Sequence, residues 1–420
     1  MRLLMISDHC DPLAELGGKE AGGQTVYVRT LAQFLSDFGV NVDVYTRWDQ
    51  ASKKEVVQMG PRWRVIRALA GPKNYVPPDQ RVGLLDWFSR SILWRTKYER
   101  LRYDIIHSNY WPAGLIGLSI KQSLHLPLVH VYHSLARSKY EAMRRSNTPI
   151  DFIAYHQRLS AETTIAQHSS RIISTSPGEK QLIRQWYNVP GEKIDVIPIG
   201  INPVIFHSVN QDFSRRELGW STKKKIILYV GRIEWHKGIG TLIEAMAQLV
   251  RDQPEVYLYI VGGAKSKTGQ QLEAEEQQRL QNLMRQHKLD RYITFVGPKR
   301  QDELALYYSA ADVTAIPSYY EPFGIVPLES MACGTPVVAS RTGGMKYTMV
   351  DGETGYFAEP MNVADLARKI NRILSKNKSH YTRNCIWRVQ NQFFWPKIAQ
   401  KYLTYFLALN EKNSTLPAQS

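Results

Sequence analysis

The sequence predicts an α/β protein with two Rossmann-like domains, and three observations support this class. The chain has 420 residues, which is more than a single hydrophobic core usually serves. Short apolar strands alternate with amphipathic helices along most of its length, as in parallel sheets covered on both faces. The alternation pauses at residues 200–207, which contain Gly200 and Pro203, and then restarts. We therefore predict a hinge in this segment.

The first half begins with the apolar strand 2–6, and a glycine-rich loop follows at residues 17–24. A helix comes next, because apolar residues recur at helical spacing over residues 28–38. Further strand signals in this half lie at 40–44, 105–107, 128–132, 171–175 and 194–197. These elements predict a first domain over residues 1–203.

The second half repeats the pattern without a detectable sequence repeat. Its strand signals lie at 225–231, 256–261, 293–296, 312–316 and 336–339. Helical patterns cover 241–250 and 273–287, and two more begin near residues 302 and 325. We predict a second domain over residues 204–388.

The last part of the chain predicts an amphipathic helix over residues 389–409 that crosses back to the first domain. Ile398, Tyr402, Tyr405 and Phe406 share one face. Core packing and contact with a membrane both explain such a face. Residues 410–420 are polar, and we expect them to be disordered.

The composition is that of a folded protein, with 43% hydrophobic and 22% charged residues. Cys10, Cys333 and Cys385 lie far apart, which excludes a secreted disulfide framework and a zinc motif. The first residues predict a strand rather than a signal peptide. No segment reaches the roughly 20 apolar residues of a membrane span. We therefore expect a cytoplasmic protein.

The chain is strongly basic: 54 Lys and Arg less 38 Asp and Glu give a net charge of +16. This charge is typical either of a solvated surface or of a protein with an acidic partner. The candidate partners are phosphorylated substrates, an anionic membrane surface and nucleic acid. Nucleic acid fits least, since the basic residues are dispersed and no nucleic-acid-binding motif occurs.

The most specific motif is the segment 321–329, in which Glu321 and Glu329 flank seven residues between a strand and a helix. Gly324 permits close backbone approach, and the start of the helix offers N–H groups to an oxygen-rich ligand. Taken alone, the segment also fits an exposed turn with two surface acids. Its neighbours in the fold favour a binding site.

The principal neighbour is the segment 231–238, directly after the first strand of the second half. Ligands of open parallel sheets bind beyond the carboxyl ends of the strands. Arg232 and Lys237 would project there, where a diphosphate needs cationic donors. Two such cations stabilise a departing nucleoside diphosphate without a metal. A basic surface loop is the alternative interpretation.

In this order, these segments resemble the retaining GT-B glycosyltransferases of the sucrose synthase and sucrose-phosphate synthase family, and the resemblance covers nearly the whole chain. It implies two Rossmann-like domains that face each other across a cleft. It also implies that Arg232 and Lys237 bind the diphosphate, that Glu321 holds the transferred sugar and that Glu329 holds the ribose. The resemblance gives further donor contacts to Gly23, Pro298, Phe323, Gly324 and Ile325.

The first half resembles the same family at the loop 22–24, at the segment 107–111 and at the stretch 130–139. By this resemblance, His133 lies beside the transferred sugar and has a catalytic role with Arg232, Lys237 and Glu321. A histidine after a strand is otherwise more often structural. The resemblance assigns the acceptor to Gln24, Tyr110, Ser134, Lys139 and Arg158.

One departure concerns the phosphate of the acceptor. Sucrose-phosphate synthases typically carry a lysine in a short stretch near residues 74–80, and Pro78 stands there in this chain. Cations that could compensate are Lys73, Arg81, Lys139 and Arg158. The departure leaves open whether the acceptor is phosphorylated.

The resemblance implies transfer of glucose from UDP-glucose, or from ADP-glucose, to fructose 6-phosphate, with no cofactor required and no essential Mg²⁺. A separate phosphatase would then act on the product, since the chain carries no phosphatase motif after the transferase region. Three alternatives remain: another acceptor such as an inositol phosphate, a lipid-linked sugar or a polysaccharide; a sugar-phosphate isomerase or epimerase; and a noncatalytic nucleotide-sugar sensor. The base of the donor is also left open among UDP, ADP and GDP.

Overall fold

A computed structural model describes residues 1–14, 22–76, 80–145, 149–263 and 267–414. The described chain divides into two compact units. The first contains the described residues up to Pro198 together with the helix that starts at Trp395, and the second contains Ile199–Phe394. The first unit thus ends at Pro198 rather than at residue 203, because the backbone N–H of Ile201 donates a hydrogen bond of 2.6 Å to Phe393 O in the second unit.

The first unit is built on one eight-stranded sheet. Its strands are β1 (Arg2–Ile6), β2 (Asn41–Arg47), β3 (Val56–Gln58), β4 (Trp63–Ala68), β5 (Ile105–Asn109), β6 (Leu128–Val131), β7 (Arg171–Ser174) and β8 (Ile194–Val196). They lie in the order β3-β4-β2-β1-β5-β6-β7-β8. All neighbours are parallel except β3 and β4. The chain order reverses between β1 and β5, the place where such sheets bind ligands.

Helices of the first unit cover the sheet and bury its apolar side chains, as a parallel sheet requires. They are α1 (Gly23–Asp37), α2 (Leu85–Tyr98), α3 (Trp111–Leu124), α4 (Ala136–Arg145), α5 (Phe152–His168) and α6 (Pro177–Tyr187). One core packs β1 and β5 against α2 and α3, with Ile6, Ile106 and Ile116 fully buried.

The second unit is built on a six-stranded sheet in which all neighbouring strands are parallel. Its strands are β9 (Lys225–Val230), β10 (Val256–Val261), β11 (Ile293–Gly297), β12 (Val313–Ile316), β13 (Val337–Ser340) and β14 (Gly355–Ala358). They lie in the order β11-β10-β9-β12-β13-β14, which is the dinucleotide-binding order 3-2-1-4-5-6. The order reverses between β9 and β12.

Eight helices accompany this sheet in the described residues. They are α7 (Gln211–Glu217), α8 (Ile239–Asp252), α9 (Lys267–Gln286), α10 (Leu304–Ala310), α11 (Ile325–Ala332), α12 (Met345–Thr348), α13 (Val363–Leu374) and α14 (Ser379–Gln392). The two α/β units with parallel sheets confirm the predicted fold class.

The prediction of a single helix over 389–409 was wrong, because α14 ends at Gln392 and the last helix, α15 (Trp395–Ser414), starts after a break. Pro396 lies in the first turn of α15, since a proline has no N–H to donate to a preceding turn. The expected disorder from residue 410 was also wrong as far as Ser414, which is helical; residues 415–420 lie outside the described part.

Helix α15 packs with its apolar face into the first unit, as the core-packing interpretation requires. Ile398, Tyr402 and Phe406 are fully buried, whereas Tyr405 is partly exposed. The hydroxyl oxygens of Tyr402 and Tyr27 lie 2.6 Å apart and join α15 to α1. In the described part of the chain, no helix combines the length and the apolar character that crossing a membrane demands.

Candidate functional site

In the second unit, the loops that follow β9 and β12 lie against each other. Gly238 has a φ of +71°, and a Cβ at this position would lie 2.1 Å from the carbonyl oxygen of Pro317. Only glycine fits such an approach. The backbone N–H of Tyr319 donates to His236 O at 2.8 Å. The glycine therefore brings the loop 231–238 onto the start of the loop 317–324.

This contact places Lys237 beside Glu321. The Lys237 ammonium nitrogen lies 2.8 Å from Glu321 Oε2, and the two side chains are 18% and 14% exposed. A pair at this depth is screened less by solvent than a surface pair. The structure thus brings together two of the predicted catalytic residues, which the sequence separates widely.

A third loop, which follows β13, contacts the backbone of Glu321. A Cβ on Gly343 would lie 1.8 Å from the carbonyl oxygen of Glu321, and the N–H of Gly344 donates to that oxygen at 3.2 Å. This loop was not predicted from the sequence. The signal was present, since two adjacent glycines come four and five residues after the end of the predicted strand 336–339.

Arg232 lies in the same loop as Lys237 and is more exposed, at 46%. Its Nη1 lies 2.6 Å from one carboxylate oxygen of Glu234. The other oxygen lies 3.2 Å from His236 Nε2. Glu234 and His236, which the sequence analysis did not single out, therefore orient the arginine at the end of β9.

The start of α11 supplies backbone donors next to Glu321. Gly324 precedes the helix in the left-handed conformation, with a φ of +77°, and Ile325 is the first helical residue. No described side chain caps this helix end. Its first N–H groups point away from the helix at its positive end. Phe323, whose carbonyl would lie 2.4 Å from a Cβ on Gly344, completes the turn.

Glu329 lies further along α11 and is only 6% exposed. Its Oε2 accepts a hydrogen bond of 2.7 Å from the Tyr308 hydroxyl. Burial raises the pKa of Glu329 to about 7, although hydrogen bonds from Tyr308 and Gln301 oppose the rise. Gln301 belongs to the segment after β11 that begins at Pro298, which is half-buried. The segment that begins at the predicted donor contact Pro298 is thus linked through Gln301 to Glu329, the predicted ribose-binding residue.

In the first unit, the chain order of the sheet reverses between β1 and β5, and several of the predicted acceptor residues lie near the ends of these strands. The Asn109 side chain is fully buried and donates through Nδ2 to Ile6 O at 3.2 Å. Gln24, in the first turn of α1 next to Gly23, donates through Nε2 to Asn109 O and to Ser7 Oγ, each at 3.3 Å. These bonds hold Gln24 at the ends of the two strands.

His133 follows β6 and is held against the same asparagine. Its Nε2 lies 2.9 Å from Asn109 Oδ1, and its ring makes an edge contact with Tyr27 at 4.8 Å between centroids. A φ of 58° places it in the left-handed region, which is uncommon for residues other than glycine and marks a constrained position. Burial, with the charges of His107, His130 and His9, lowers the pKa of His133 well below its usual value. The imidazole is therefore neutral at pH 7.

Arg158 on α5 is the centre of a buried polar cluster. Its Nε donates to Glu162 Oε1 at 2.7 Å, and its Nη2 donates to Ser134 O and Oγ at 2.7 and 2.9 Å. The guanidinium carbon lies 4.9 Å from the centre of the Tyr110 ring. The structure therefore brings together three of the predicted acceptor residues.

Glu162 accepts the hydrogen bond from Arg158 Nε and so holds the guanidinium in place. It was not predicted as a site residue. It is fully buried, and its carboxylate accepts hydrogen bonds from the backbone N–H of Ala136, at 2.9 Å to Oε2, and from the Tyr187 hydroxyl. Removing either partner of such a buried pair leaves an uncompensated charge, which is strongly destabilising.

His9 also lies at Tyr110, with 4.9 Å between ring centroids, and sequence reasoning missed it. Its Nδ1 lies 3.1 Å from Asp8 Oδ1. Burial opposes protonation of His9, but the charges of Cys10 and Asp8 raise its pKa well above the usual value. The signal was a polar run at residues 7–9, directly after the first strand.

Lys139 does not join this cluster. It lies on α4 with an exposed side chain, and no contact among the described residues links it to Tyr110, Ser134 or Arg158. Pro78 lies outside the described residues. Lys73 Nζ lies 3.3 Å from the centre of the Trp48 ring, and Arg81 donates to Val76 O. These two cations are thus engaged locally.

Comparisons with known proteins bear on both units. Residues 21–204 match the family model described as Glycosyltransferase Family 4. Residues 210–386 match the model described as Glycosyl transferases group 1. The two matches meet near the boundary between the units.

Among curated relatives, a D-inositol 3-phosphate glycosyltransferase of Corynebacterium jeikeium is 35% identical over 379 residues, covering 89% of this chain and 88% of the relative. Among solved structures, the sucrose-phosphate synthase of Thermosynechococcus elongatus is 35% identical with a TM-score of 0.87, covering 98% of this chain and 99% of that one. Anabaena HepE, solved with UDP-glucose, has a TM-score of 0.73 over 99% of this chain and 100% of that one; at 21% identity it shows the shared fold alone.

Proposed function

Because the chain belongs to the group 1 glycosyl transferases of the GT-B class, we propose that it transfers glucose with retention from UDP-glucose to a small phosphorylated acceptor, fructose 6-phosphate. The observation that carries the proposal is the buried cluster in which Glu162 and Ser134 hold the guanidinium of Arg158 beside Tyr110. A guanidinium fixed in this way keeps its positive charge in place, which favours a phosphate beside it.

In the proposed donor site, the second unit binds the nucleotide-sugar. Lys237 and Arg232 stabilise the charge that develops on the departing diphosphate, together with the N–H groups at the start of α11. Glu321 accepts hydrogen bonds from the sugar hydroxyls, and Glu329 accepts them from the ribose. In this proposal the cations of the protein neutralise the diphosphate, so that Mg²⁺ is not essential.

In the proposed acceptor site, the first unit binds the sugar phosphate. Arg158 binds the phosphate, and Gln24, Tyr110 and Ser134 contact the sugar ring. The neutral His133 donates through Nε2 to Asn109 Oδ1, so in this proposal its Nδ1 accepts a hydrogen bond from a hydroxyl of the transferred sugar, without a positive charge near the reacting carbon. Lys139 stays a predicted contact, and its exposed position makes it the weakest of the set.

The proposed reaction keeps the configuration of the anomeric carbon. The bond between that carbon and the diphosphate oxygen breaks, and the carbon develops oxocarbenium character. The acceptor hydroxyl forms its bond on the face that the diphosphate leaves, and its proton passes to the departing phosphate oxygen. No carboxylate is assigned as a nucleophile in this route.

D-inositol 3-phosphate is a second candidate acceptor, since the curated relative of Corynebacterium jeikeium carries that name at 35% identity. Both candidates are phosphorylated polyols of similar size. The cluster around Arg158 therefore supports the proposal that the acceptor is phosphorylated, but it does not discriminate between the two candidate acceptors.

Product analysis tests the proposal. The protein is incubated with UDP-glucose and either fructose 6-phosphate or D-inositol 3-phosphate, and the products are identified by mass spectrometry and by the anomeric proton coupling in NMR. We expect an α-linked glucosyl sugar phosphate with fructose 6-phosphate. A product formed only with D-inositol 3-phosphate would show that this compound, and not fructose 6-phosphate, is the acceptor. A β-linked product would show that the reaction does not proceed with retention.

A further inference from the structure

A groove in the first unit is lined by residues other than those assigned to the proposed acceptor site. Its volume is about 750 Å³, within the range of roughly 300–1,000 Å³ found for small-molecule sites. It lies between α2 and the chain that follows β2 and β4. Four aromatic residues line it: Tyr45, Trp48, Trp87 and Trp94.

Two of these aromatic side chains are exposed without serving the core. Trp87 and Trp94 on α2 are 51% and 59% exposed, whereas Phe88 and Ile92 on the same helix are 1% and 0% exposed. The opposite face of α2 therefore attaches the helix to the core. Tyr98 stacks on Trp94 with 4.9 Å between ring centroids and extends the aromatic surface. A cluster of exposed aromatic rings is typical of a binding surface.

The cations of the groove are paired with carboxylates or covered by a ring. Arg67 lies 3.0 Å from buried Asp11, and Arg95 pairs with Glu55. Arg90 lies 2.8 Å from Asp86.

Lys73 lies over the Trp48 ring at 3.3 Å. Of the four cations that line the groove, three thus have a carboxylate partner and the fourth is covered by a ring, which leaves a small positive excess rather than a large positive patch. Because the cations that line the groove are already engaged, a neutral ligand rich in hydroxyl groups is favoured over a phosphate or an anionic membrane.

We propose that this groove binds a neutral saccharide. Flat aromatic rings cover the apolar C–H faces of sugar rings, and the paired charges around them donate to and accept from the hydroxyl groups. The cavity has room for more than one sugar ring. The proposal is independent of the transferase reaction, because it assigns no role to Gln24, His133 or Arg158.

Isothermal titration calorimetry of the full chain with sucrose and with maltotriose tests the proposal. We expect saturable binding of at least one of them, weakened about tenfold by Trp94→Ala and by Trp87→Ala, which corresponds to about 1.4 kcal/mol. Trp387→Ala is the matched control, since Trp387 is 60% exposed on the second unit, and it should bind as the wild type does. Circular dichroism checks that each variant is folded.

Three outcomes would overturn the proposal. They are no saturable binding of either saccharide, equal binding by the wild type and Trp94→Ala, and competition by inorganic phosphate. A loss of sedimentation with phosphatidylglycerol vesicles in Trp94→Ala, without saccharide binding by the wild type, would assign the surface to a membrane instead. Transferase activity of Trp94→Ala should equal that of the wild type, so the result stands whether or not the proposed acceptor is correct.

Discussion

The ammonium group of Lys237 and the carboxylate of Glu321 form an ion pair of 2.8 Å between the loops that follow β9 and β12. Those strands are neighbours in the sheet, at the point where its chain order reverses. The pair lies where the sheet topology places a ligand. It therefore links the most specific sequence motif to the predicted diphosphate-binding loop.

Replacement of Lys237 tests the proposed charge stabilisation. Lys237→Ala should lower kcat by roughly 10²-fold or more, because one preorganised donor to the leaving group is lost. The rate is measured at saturating UDP-glucose and acceptor. Lys223→Ala, which removes an exposed lysine of the second unit, should leave kcat unchanged. An unchanged kcat in folded Lys237→Ala would refute the role of Lys237.

Replacement of Arg158 tests recognition of the phosphate. Arg158→Lys keeps the charge but loses the planar fork, so kcat/KM for fructose 6-phosphate should fall roughly 10–100-fold. The value for unphosphorylated fructose should stay unchanged. Arg216→Lys on α7 is the control, since Arg216 is exposed. An equal fall for both acceptors would show that Arg158 supports the fold and does not read the phosphate.

Replacement of Gly238 tests how the loops that follow β9 and β12 are held together. Gly238→Ala should lower the free energy of unfolding by about 3 kcal/mol, because the new Cβ meets the Pro317 carbonyl in addition to the strain of a positive φ. Gly219→Ala separates the two causes, since Gly219 has a φ of +67° and no atom within 4 Å of its Cβ position. It should lose about 1 kcal/mol. Urea unfolding measures both, and equal losses would contradict the close approach.

The raised pKa of Glu329 predicts that the stability of the protein depends on pH. Burial raises its pKa from 4.5 to about 7 in the folded protein, so the folded state favours the protonated form. The contribution of Glu329 is fully present below pH 4.5 and is lost as the pH rises through 7. Glu329→Gln should therefore match the wild type at acidic pH and exceed its stability at pH 8, by up to about 3 kcal/mol.

Urea unfolding between pH 5 and pH 8 measures this difference. Glu217→Gln on α7 serves as the control, since Glu217 is exposed, and it should show no such trend. A stability of Glu329→Gln that stays parallel to that of the wild type over this range would show that Glu329 is ionised in the folded protein throughout.

Much of the fold could be predicted from the sequence, because most strands are short apolar runs between helical patterns. Strands β3, β4 and β14 were not predicted from the sequence. In β4, Arg64 and Arg67 interrupt the apolar pattern, and they are accommodated by carboxylates distant in sequence: Arg64 pairs with Asp43, and Arg67 pairs with Asp11. Such long-range pairs cannot be seen in a local window.

The candidate site, like the fold, could be predicted from the sequence only in part. Lys237 and Glu321 stood out because each follows a recognisable strand and has a glycine within three residues. Glu162 did not, since a glutamate four residues after Arg158 resembles an ordinary surface helix pair. Its burial depends on Ala136 and on Tyr187, which other helices supply.

The central claim is that the acceptor carries a phosphate, and acceptor-dependent release of UDP from UDP-glucose tests it most directly. Initial rates are compared for fructose 6-phosphate against fructose, and for D-inositol 3-phosphate against inositol, at 0.1 M salt. We predict strong stimulation by fructose 6-phosphate and little by fructose. Equal stimulation by fructose and its phosphate, or none by any of the four, would contradict the account.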